Sequence, residues 1–287
     1  MLIHKKAELL KDFLLKWRKA GEVLHWIPTM GALHDGHISL IEAAKRQKGL
    51  VLCSIFVNPT QFNDPNDFKK YPVTIERDIY LLESSGTDVL FMPSVEEIYP
   101  TGFNNLPHYE LGYLETILEG KFRPGHFQGV CQVMHRMSQI IEPDHLFMGQ
   151  KDYQQCMVIR RLLEITGSKA VLHTCPTKRE PDGLAMSSRN VRLTENERKK
   201  AKAIFQALQF LKENLKTGIL SELLSEAKSI LIKNDFRIDY AETADADNLK
   251  LLDSWDGKRP LVALIAAFQQ EVRLIDNMIL TAKDNSK

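Results

Sequence analysis

Across the first 175 residues, short unbroken apolar runs alternate with stretches of helical periodicity, and that alternation leaves few folds open. The runs lie at 22–27, 50–57, 88–92, 145–148 and 170–174, with helical patterns at 37–48, 74–85, 127–141 and 151–166 between them. A strand with one wet face alternates apolar and polar residues. Leu50-Val51-Leu52-Cys53-Ser54-Ile55-Phe56-Val57 does not alternate, so it needs cover on both faces, as parallel strands joined by helices have. The first part of the chain is therefore predicted to be a doubly wound, Rossmann-like α/β domain with a parallel sheet.

The texture changes after a polar, turn-rich segment, Arg179-Glu180-Pro181-Asp182-Gly183-Leu184-Ala185-Met186-Ser187-Ser188-Arg189-Asn190. Thr194 and Glu197 have capping-box spacing and open a helix predicted to run to about Leu215, and a second helix is expected from about Leu220 to Lys233. Strands at 236–242, 261–268 and 271–280, with a hairpin around Gln269-Gln270, complete a smaller α+β domain. The 287 residues thus divide into domains 1–176 and 177–287, at the usual size of about 100–200 residues per domain. The segment 181–190 reads as a mobile loop, and the second domain as one that closes over a site in the first.

Charge and apolar content exclude several classes of function. Lys plus Arg number 38 against 37 Asp plus Glu, a net charge of +1, which gives no field for nucleic acid or membrane surfaces. The longest apolar run, Leu261 to Phe268, is far short of the ~20 residues needed to cross a bilayer. Met1 to Gly21 interleaves charges with Leu9, Leu10, Phe13, Leu14 and Trp17, so it reads as an amphipathic helix and not as a signal peptide. Cys53, Cys131, Cys156 and Cys175 fall inside apolar segments, as small buried side chains of a reducing, cytoplasmic protein do.

The chemistry concentrates where the predicted strands end. Pro28-Thr29-Met30-Gly31-Ala32-Leu33-His34-Asp35-Gly36-His37 follows the first apolar run and precedes a helical pattern, which makes it strand, turn and helix start. Two imidazoles beside a helix N-terminus, where unpaired N–H groups and the helix dipole favour an anion, suit a nucleotide phosphate. Zinc binding and a purely structural role are the competing readings, although the nearby stretch offers zinc only Asp35 as a third ligand. Asn58-Pro59-Thr60-Gln61-Phe62 and Met148-Gly149-Gln150-Lys151-Asp152 follow two further strands, at the edge where doubly wound sheets bind ligands.

Taken together, Pro28 to His37, Phe56 to Phe62, Gly149-Gln150-Lys151-Asp152-Tyr153-Gln154-Gln155 and Arg179 to Asn190 resemble the pantothenate synthetase family over nearly the whole chain. The His-x-Gly-His and Met-Ser-Ser-Arg elements are also similar to those of the wider nucleotidyltransferase and class I aminoacyl-tRNA synthetase superfamily. The resemblance implies a cytoplasmic homodimer that joins (R)-pantoate to β-alanine with ATP and Mg2+, through a pantoyl adenylate. It implies that His34 and His37 contact the ATP phosphates, with His37 a proton donor, and that Lys151 neutralises phosphate charge. Ser187, Ser188 and Arg189 are implied to hold pyrophosphate, and Asp152 the ribose. Met30, Gly31, Ala32, Leu33, Asp35, Gly36, Gly149, Gln150, Lys178 and Met186 complete the implied nucleotide site. Lys178 replaces the branched apolar residue usual in the family, whose contact there is through the backbone. Gln61 and Gln155, with Asn58 steadying the loop, are implied to bind pantoate and β-alanine. Tyr71 and Arg123 stand outside this set, the magnesium ligands are unassigned, and Asp78 is a candidate for one. Another nucleotidyltransferase of the superfamily and a non-catalytic ATP-binding module are the alternative functions; partners are small molecules, without nucleic acid or membrane.

Overall fold

The computed structural model describes residues 1–281, so the last six positions of the second expected domain, 282–287, lie outside the described residues. The chain forms two compact units, Met1–Gln150 with Gln154–Pro176, and Lys151–Tyr153 with the chain from Thr177 on.

The first unit is the expected doubly wound sheet. Its strands are β1 (Leu2–His4), β2 (Leu24–Thr29), β3 (Leu50–Ile55), β4 (Val89–Phe91), β5 (His145–Gly149) and β6 (Val171–Cys175), all parallel, in the order β1-β4-β3-β2-β5-β6. From β2 the chain steps outward through β3 and β4, then returns to place β5 on the other side of β2. That reversal leaves a crevice at the carboxyl ends of β2 and β5, the place where such sheets take ligands. Every residue of β3 and β4 is buried, which is why these strands carry no apolar alternation. The helix Asp35–Lys45 lays Leu40, Ile41 and Ala44 on Ile27, Val51 and Cys53 of the sheet. Full burial of one such aliphatic side chain stabilises by about 1.5–3 kcal/mol, enough to fix the helix that follows the first turn.

The amino end of the chain differs from expectation. Leu2–His4 is a strand on the sheet edge, bonded through Leu2 N–H to the Asp88 carbonyl and Met92 N–H to the His4 carbonyl, both 2.8 Å, and the helix begins only at Ala7. Leu10 and Leu14 set the buried stripe of that helix, and the open edge of β4 recruits the three residues before it.

In the second unit β8 (Phe236–Asp245), β10 (Leu261–Gln269) and β11 (Val272–Ile279) form an antiparallel sheet in the order β11-β10-β8, while β7 (Gly218–Ile219) pairs with β9 (Ser254–Trp255) in a short ribbon. The hairpin falls at Gln269-Gln270, with Gln270 in the left-handed region at φ 50°. Thr194 and Glu197 close the capping box, but the expected long helix is two helices, Glu195–Ala201 and Ala203–Glu213, with Lys202 between them. The helices Ala203–Glu213 and Ser221–Lys233 cover the sheet through Ile204, Leu208, Leu211, Leu224 and Leu231.

Near the amino ends of β2 and β5, opposite the crevice, His25 and His145 cluster with His173 from the middle of β6, the rings tilted against one another. Ring centroids are 5.2 and 4.9 Å apart, and His145 Nδ1 lies 2.8 Å from His173 Nε2. His25 is fully buried, and burial, with the other two imidazoles beside it, holds its pKa below the usual 6.5 despite the Lys48 carbonyl and Asp144. The unfolded chain then takes up a proton at a pH where the folded one does not, so stability is full above about pH 6.5 and declines as pH falls below it, by up to about 1.4 kcal/mol per unit for one histidine. Urea unfolding at pH 7.5 and 5.5 is expected to show a steeper loss in the natural chain than in His25→Leu; equal losses would mean that the cluster does not govern acid stability.

Candidate active site

The chain leaves β2 at Thr29 and turns through Gly31 (φ 80°) and Ala32 (φ 49°). This left-handed pair points successive N–H groups to one side, where the Asp78 carboxylate takes both, from Ala32 N–H to Oδ2 and from Leu33 N–H to Oδ1, each at 2.8 Å. Thr74 Oγ1 donates a third bond to Oδ1 at 2.9 Å, and Asp78 is 1% exposed. An alanine in the left-handed region costs on the order of 1 kcal/mol or more, which charge-assisted bonds of this kind offset. A Cβ at Gly31 would lie 3.1 Å from both Asp78 Oδ2 and Ile55 Cγ2, so glycine fits the closeness of the approach as well as the φ. Asp78 is therefore a brace for the turn, and its candidacy as a magnesium ligand gives way to these three bonds.

Past the turn, His34 is the N-cap of the helix Asp35–Lys45 in extended conformation. Its Nδ1 accepts from Gly36 N–H at 3.1 Å, and His37 Nδ1 accepts from His34 N–H at 3.3 Å. The two imidazoles thus make the reciprocal cap that Ser or Thr and Glu usually make. Each ring then carries its proton on Nε2, since a nitrogen that accepts an N–H cannot also hold one. With centroids 4.1 Å apart, the rings form a paired donor set at the positive end of a helix dipole. Leu33, 2% exposed, anchors the turn from below, while Asp35 faces solvent. Among the described residues no three His, Cys, Asp or Glu side chains gather as metal ligands, so the zinc reading of this pair finds no third ligand.

Following β3, Asn58 is a buried hub at 1% exposure. Its Nδ2 donates to the Gly129 carbonyl (3.0 Å) and to Gln61 Oε1 (3.2 Å), and its Oδ1 accepts from Tyr99 OH at 2.9 Å. Burial pushes the Tyr99 phenol above its ordinary pKa, so it stays a donor at neutral pH. Gln61 Nε2 reaches Met30 Sδ at 3.0 Å, which joins this loop to the turn after β2. Sequence reasoning left Arg123 and His126 outside the site, yet both hold the Gln61 carbonyl, at 3.4 Å from Arg123 Nη2 and 2.8 Å from His126 Nδ1. His126 therefore bears its proton on Nδ1 and accepts at Nε2 from Arg123 Nη1 at 3.1 Å.

At the end of β5, Gly149 has no atom within 4 Å of where a Cβ would stand, so the backbone there is open to close approach. Gln150 is partly buried. Of the adjacent glutamines, Gln154 is buried, donates to the carbonyls of Leu114 and Ile117 and accepts from Glu119 N–H, whereas Gln155 is half-exposed on the helix Tyr153–Thr166.

The remaining predicted residues lie in the second unit. Lys151 is mostly buried with its Nζ 3.6 Å from the half-exposed Asp152 carboxylate, and its carbonyl accepts from Asn277 Nδ2 at 2.9 Å. Segment 178–186 is a small ladder, with Arg179 bridged to Ala185, Glu180 N–H on the Leu184 carbonyl and Met186 N–H on the Lys178 carbonyl. The Lys178 side chain is exposed. Gly183 (φ 92°) lies against the Phe205 ring, which any Cβ would strike. Leu184 and Ala185 are each 3% exposed. The composition of this segment is polar, yet Arg179 pairs with Asp276, Asp182 pairs with Arg198, and Leu184 and Ala185 reach the core. Beyond it Ser187 Oγ caps the 3₁₀ turn Ser188–Arg192 by accepting from Arg189 N–H at 3.3 Å, and Met186 to Arg189 are half-buried.

Comparison with known proteins agrees with the motifs. The family model described as pantoate-beta-alanine ligase matches residues 2–279. The pantothenate synthetases of Azobacteroides pseudotrichonymphae and Caldicellulosiruptor bescii are 42% and 40% identical to this chain, over 97% and 99% of it and 99% and 100% of their own lengths. The crystal structure of pantothenate synthetase from Thermus thermophilus superposes with a TM-score of 0.90 at 38% identity, covering 98% of this chain and all of that one. That of the pantoate-beta-alanine ligase from Francisella tularensis, complexed with beta-gamma ATP and beta-alanine, gives 0.81 at 37% identity over 98% of this chain and 99% of that one.

Gly129 tests how tightly the Gln61 loop is seated. A Cβ there would run into the Thr60 carbonyl and stand 2.8 Å from Gln61 N. Gly129→Ala is expected to lose about 1–3 kcal/mol of stability in urea unfolding, the usual cost of overpacking; an unchanged midpoint would show that the loop gives way freely.

Proposed function

The chain belongs to the pantoate-beta-alanine ligase family, and from that premise we infer how its residues serve the ATP-dependent joining of (R)-pantoate to β-alanine. It is an amide-forming ligase, and the match over the full chain does not favour another nucleotidyltransferase or an inert ATP-binding module. A carboxylate is a poor acyl donor. We propose that pantoate first attacks the α-phosphorus of ATP, releasing pyrophosphate, and that the β-alanine amine then attacks the acyl carbon of the pantoyl adenylate, releasing AMP.

Such a reaction needs alignment and charge stabilisation more than a protein nucleophile. The observation that carries the reading is the paired imidazole cap: two Nε2–H donors at a helix start, in the crevice where the strand order reverses. We assign them to phosphate oxygens, where donors strengthen as negative charge develops. Lys151, Ser187, Ser188 and Arg189 serve the β- and γ-phosphates in this reading, by their charge and hydroxyl chemistry. Asp152 accepts from the ribose hydroxyls, and the backbone of Met30–Leu33, Gly149, Gln150, Lys178 and Met186 contacts the nucleotide. Gln61 and Gln155 offer neutral donor and acceptor atoms to pantoate and β-alanine, with Asn58 setting the Gln61 side chain.

Magnesium, if carried on the nucleotide, suits this donor set. Mg2+ keeps several waters and is commonly bound by phosphates with few protein carboxylates, and the described residues gather no cage for it. It would supply charge neutralisation on the phosphates, and no protein ligand is assigned. We further propose a cytoplasmic homodimer, on the family resemblance; no helix among the described residues is long and apolar enough to cross a membrane.

Two outcomes check the mechanism. Removing one donor from such a site costs on the order of 2.7–4 kcal/mol, so His37→Ala and Lys151→Ala are each expected to lower kcat about 100- to 1000-fold while KM for ATP moves far less. Wild-type turnover in either would remove its phosphate role. With ATP, Mg2+ and pantoate but no β-alanine, labelled pyrophosphate should exchange into ATP; exchange that requires β-alanine would overturn the adenylate.

A further inference from the structure

Asp276 and Asn277 are 3% and 2% exposed, side by side on β11, in a ladder where Asp276 stands opposite Ile265 and Asn277 opposite Leu264. A buried carboxylate and a buried amide cost desolvation unless each is paired. Here the partners are segments that carry the proposed chemistry. Asn277 Nδ2 donates to the Lys151 carbonyl at 2.9 Å. Asp276 takes Arg179 in a two-pronged pair, Nη1 to Oδ2 at 2.6 Å and Nη2 to Oδ1 at 3.1 Å. Arg179 in turn donates to the Asn277 carbonyl (3.2 Å) and the Gly183 carbonyl (3.0 Å), and stacks over Phe205 at 4.6 Å. Because Arg179 is bridged to Ala185 and the Met186 N–H is bonded to the Lys178 carbonyl, whatever fixes Arg179 also fixes the start of the Ser187-Ser188-Arg189 turn.

Resting on the phosphate roles given above to Lys151 and to Ser187–Arg189, we propose that Asp276 and Asn277 are positioning residues that hold these two elements in one frame within the second unit. Packing alone would be met by an apolar pair, and buried ion pairs are weak contributors to stability. Two polar residues at adjacent positions of one strand, each holding a different charged element, answer instead to geometry. A misplacement of about 1 Å can cost on the order of a hundredfold in rate, so a device that sets the distance between two phosphate-binding cations acts on kcat.

The test is a double-mutant cycle in the full chain, with kcat and KM read from AMP formation in the complete reaction and folding checked by thermal melting. Asn277→Ala removes the bond to Lys151 and leaves the backbone contacts of Arg179 in place; Asn277→Ser goes through the same cycle should the alanine variant not fold. In the natural background the substitution is expected to lower kcat about 10- to 100-fold with KM for β-alanine within about twofold. In a Lys151→Ala background it is expected to add almost nothing, because the side chain it places is gone. An equal loss in both backgrounds would mark a general structural role and overturn the proposal, as would unchanged kcat in the first. If Lys151→Ala itself keeps full kcat, the phosphate reading has failed and this proposal falls with it; if Lys151→Ala is crippled while Asn277→Ala is not, the positioning role alone has failed.

Discussion

The turn after β2 depends on one buried anion. Gly31 and Ala32 present their side of the chain as a cup of backbone N–H groups, and such a cup left empty would itself attract a phosphate. Asp78 fills it from the helix Ile75–Ser84, so the anion-binding capacity of the backbone is turned inward to hold shape. The outward side is left to the histidines. Asp78 fixes Leu33, Leu33 is followed by the N-cap His34, and the cap sets His37 through a single helical turn. Local strain at Ala32, the buried charge and the histidine pair are consequences of one arrangement.

The same logic recurs elsewhere in the molecule. Three of the side chains proposed to meet substrate have a buried polar residue beside them. Asn58 backs Gln61, Gln154 lies beside Gln155, and Asn277 backs Lys151. Buried polar groups of this kind are satisfied by backbone carbonyls and N–H groups, which makes them rigid in a way that side-chain-only networks are not. Rigid support is what a reaction driven by alignment and charge placement requires.

Much of this was legible in the residues because it is local. Period and apolar continuity marked β2, β3 and β5 and the helices between them, and the His-x-Gly-His spacing marked a capped helix start. The Thr194-Glu197 box sits where its spacing placed it. What escaped is non-local. Asp78 is 46 residues from Ala32 and carries no signal of its own until the fold brings it there. Asp276 and Asn277 lie within a strand whose pattern reads as core, and His126 looks like an ordinary helix start until it is seen to hold Gln61. The edge strand Leu2–His4 is three residues long, too short for a period of two to show against the helix that follows. The partners of Arg179 in the segment 179–190, Asp276 and Phe205, are equally invisible in its composition.

Helix capping fixes the tautomer of both histidines and so aims two Nε2–H donors from the turn. Long-range 1H–15N correlation spectra of the histidine-labelled protein report that tautomer directly. His34 and His37 are each expected to carry the proton on Nε2 with Nδ1 acting as an acceptor, at neutral pH and before any nucleotide is added. A proton on Nδ1 of either ring would contradict this, because that ring could not cap the helix and its placement would need another cause.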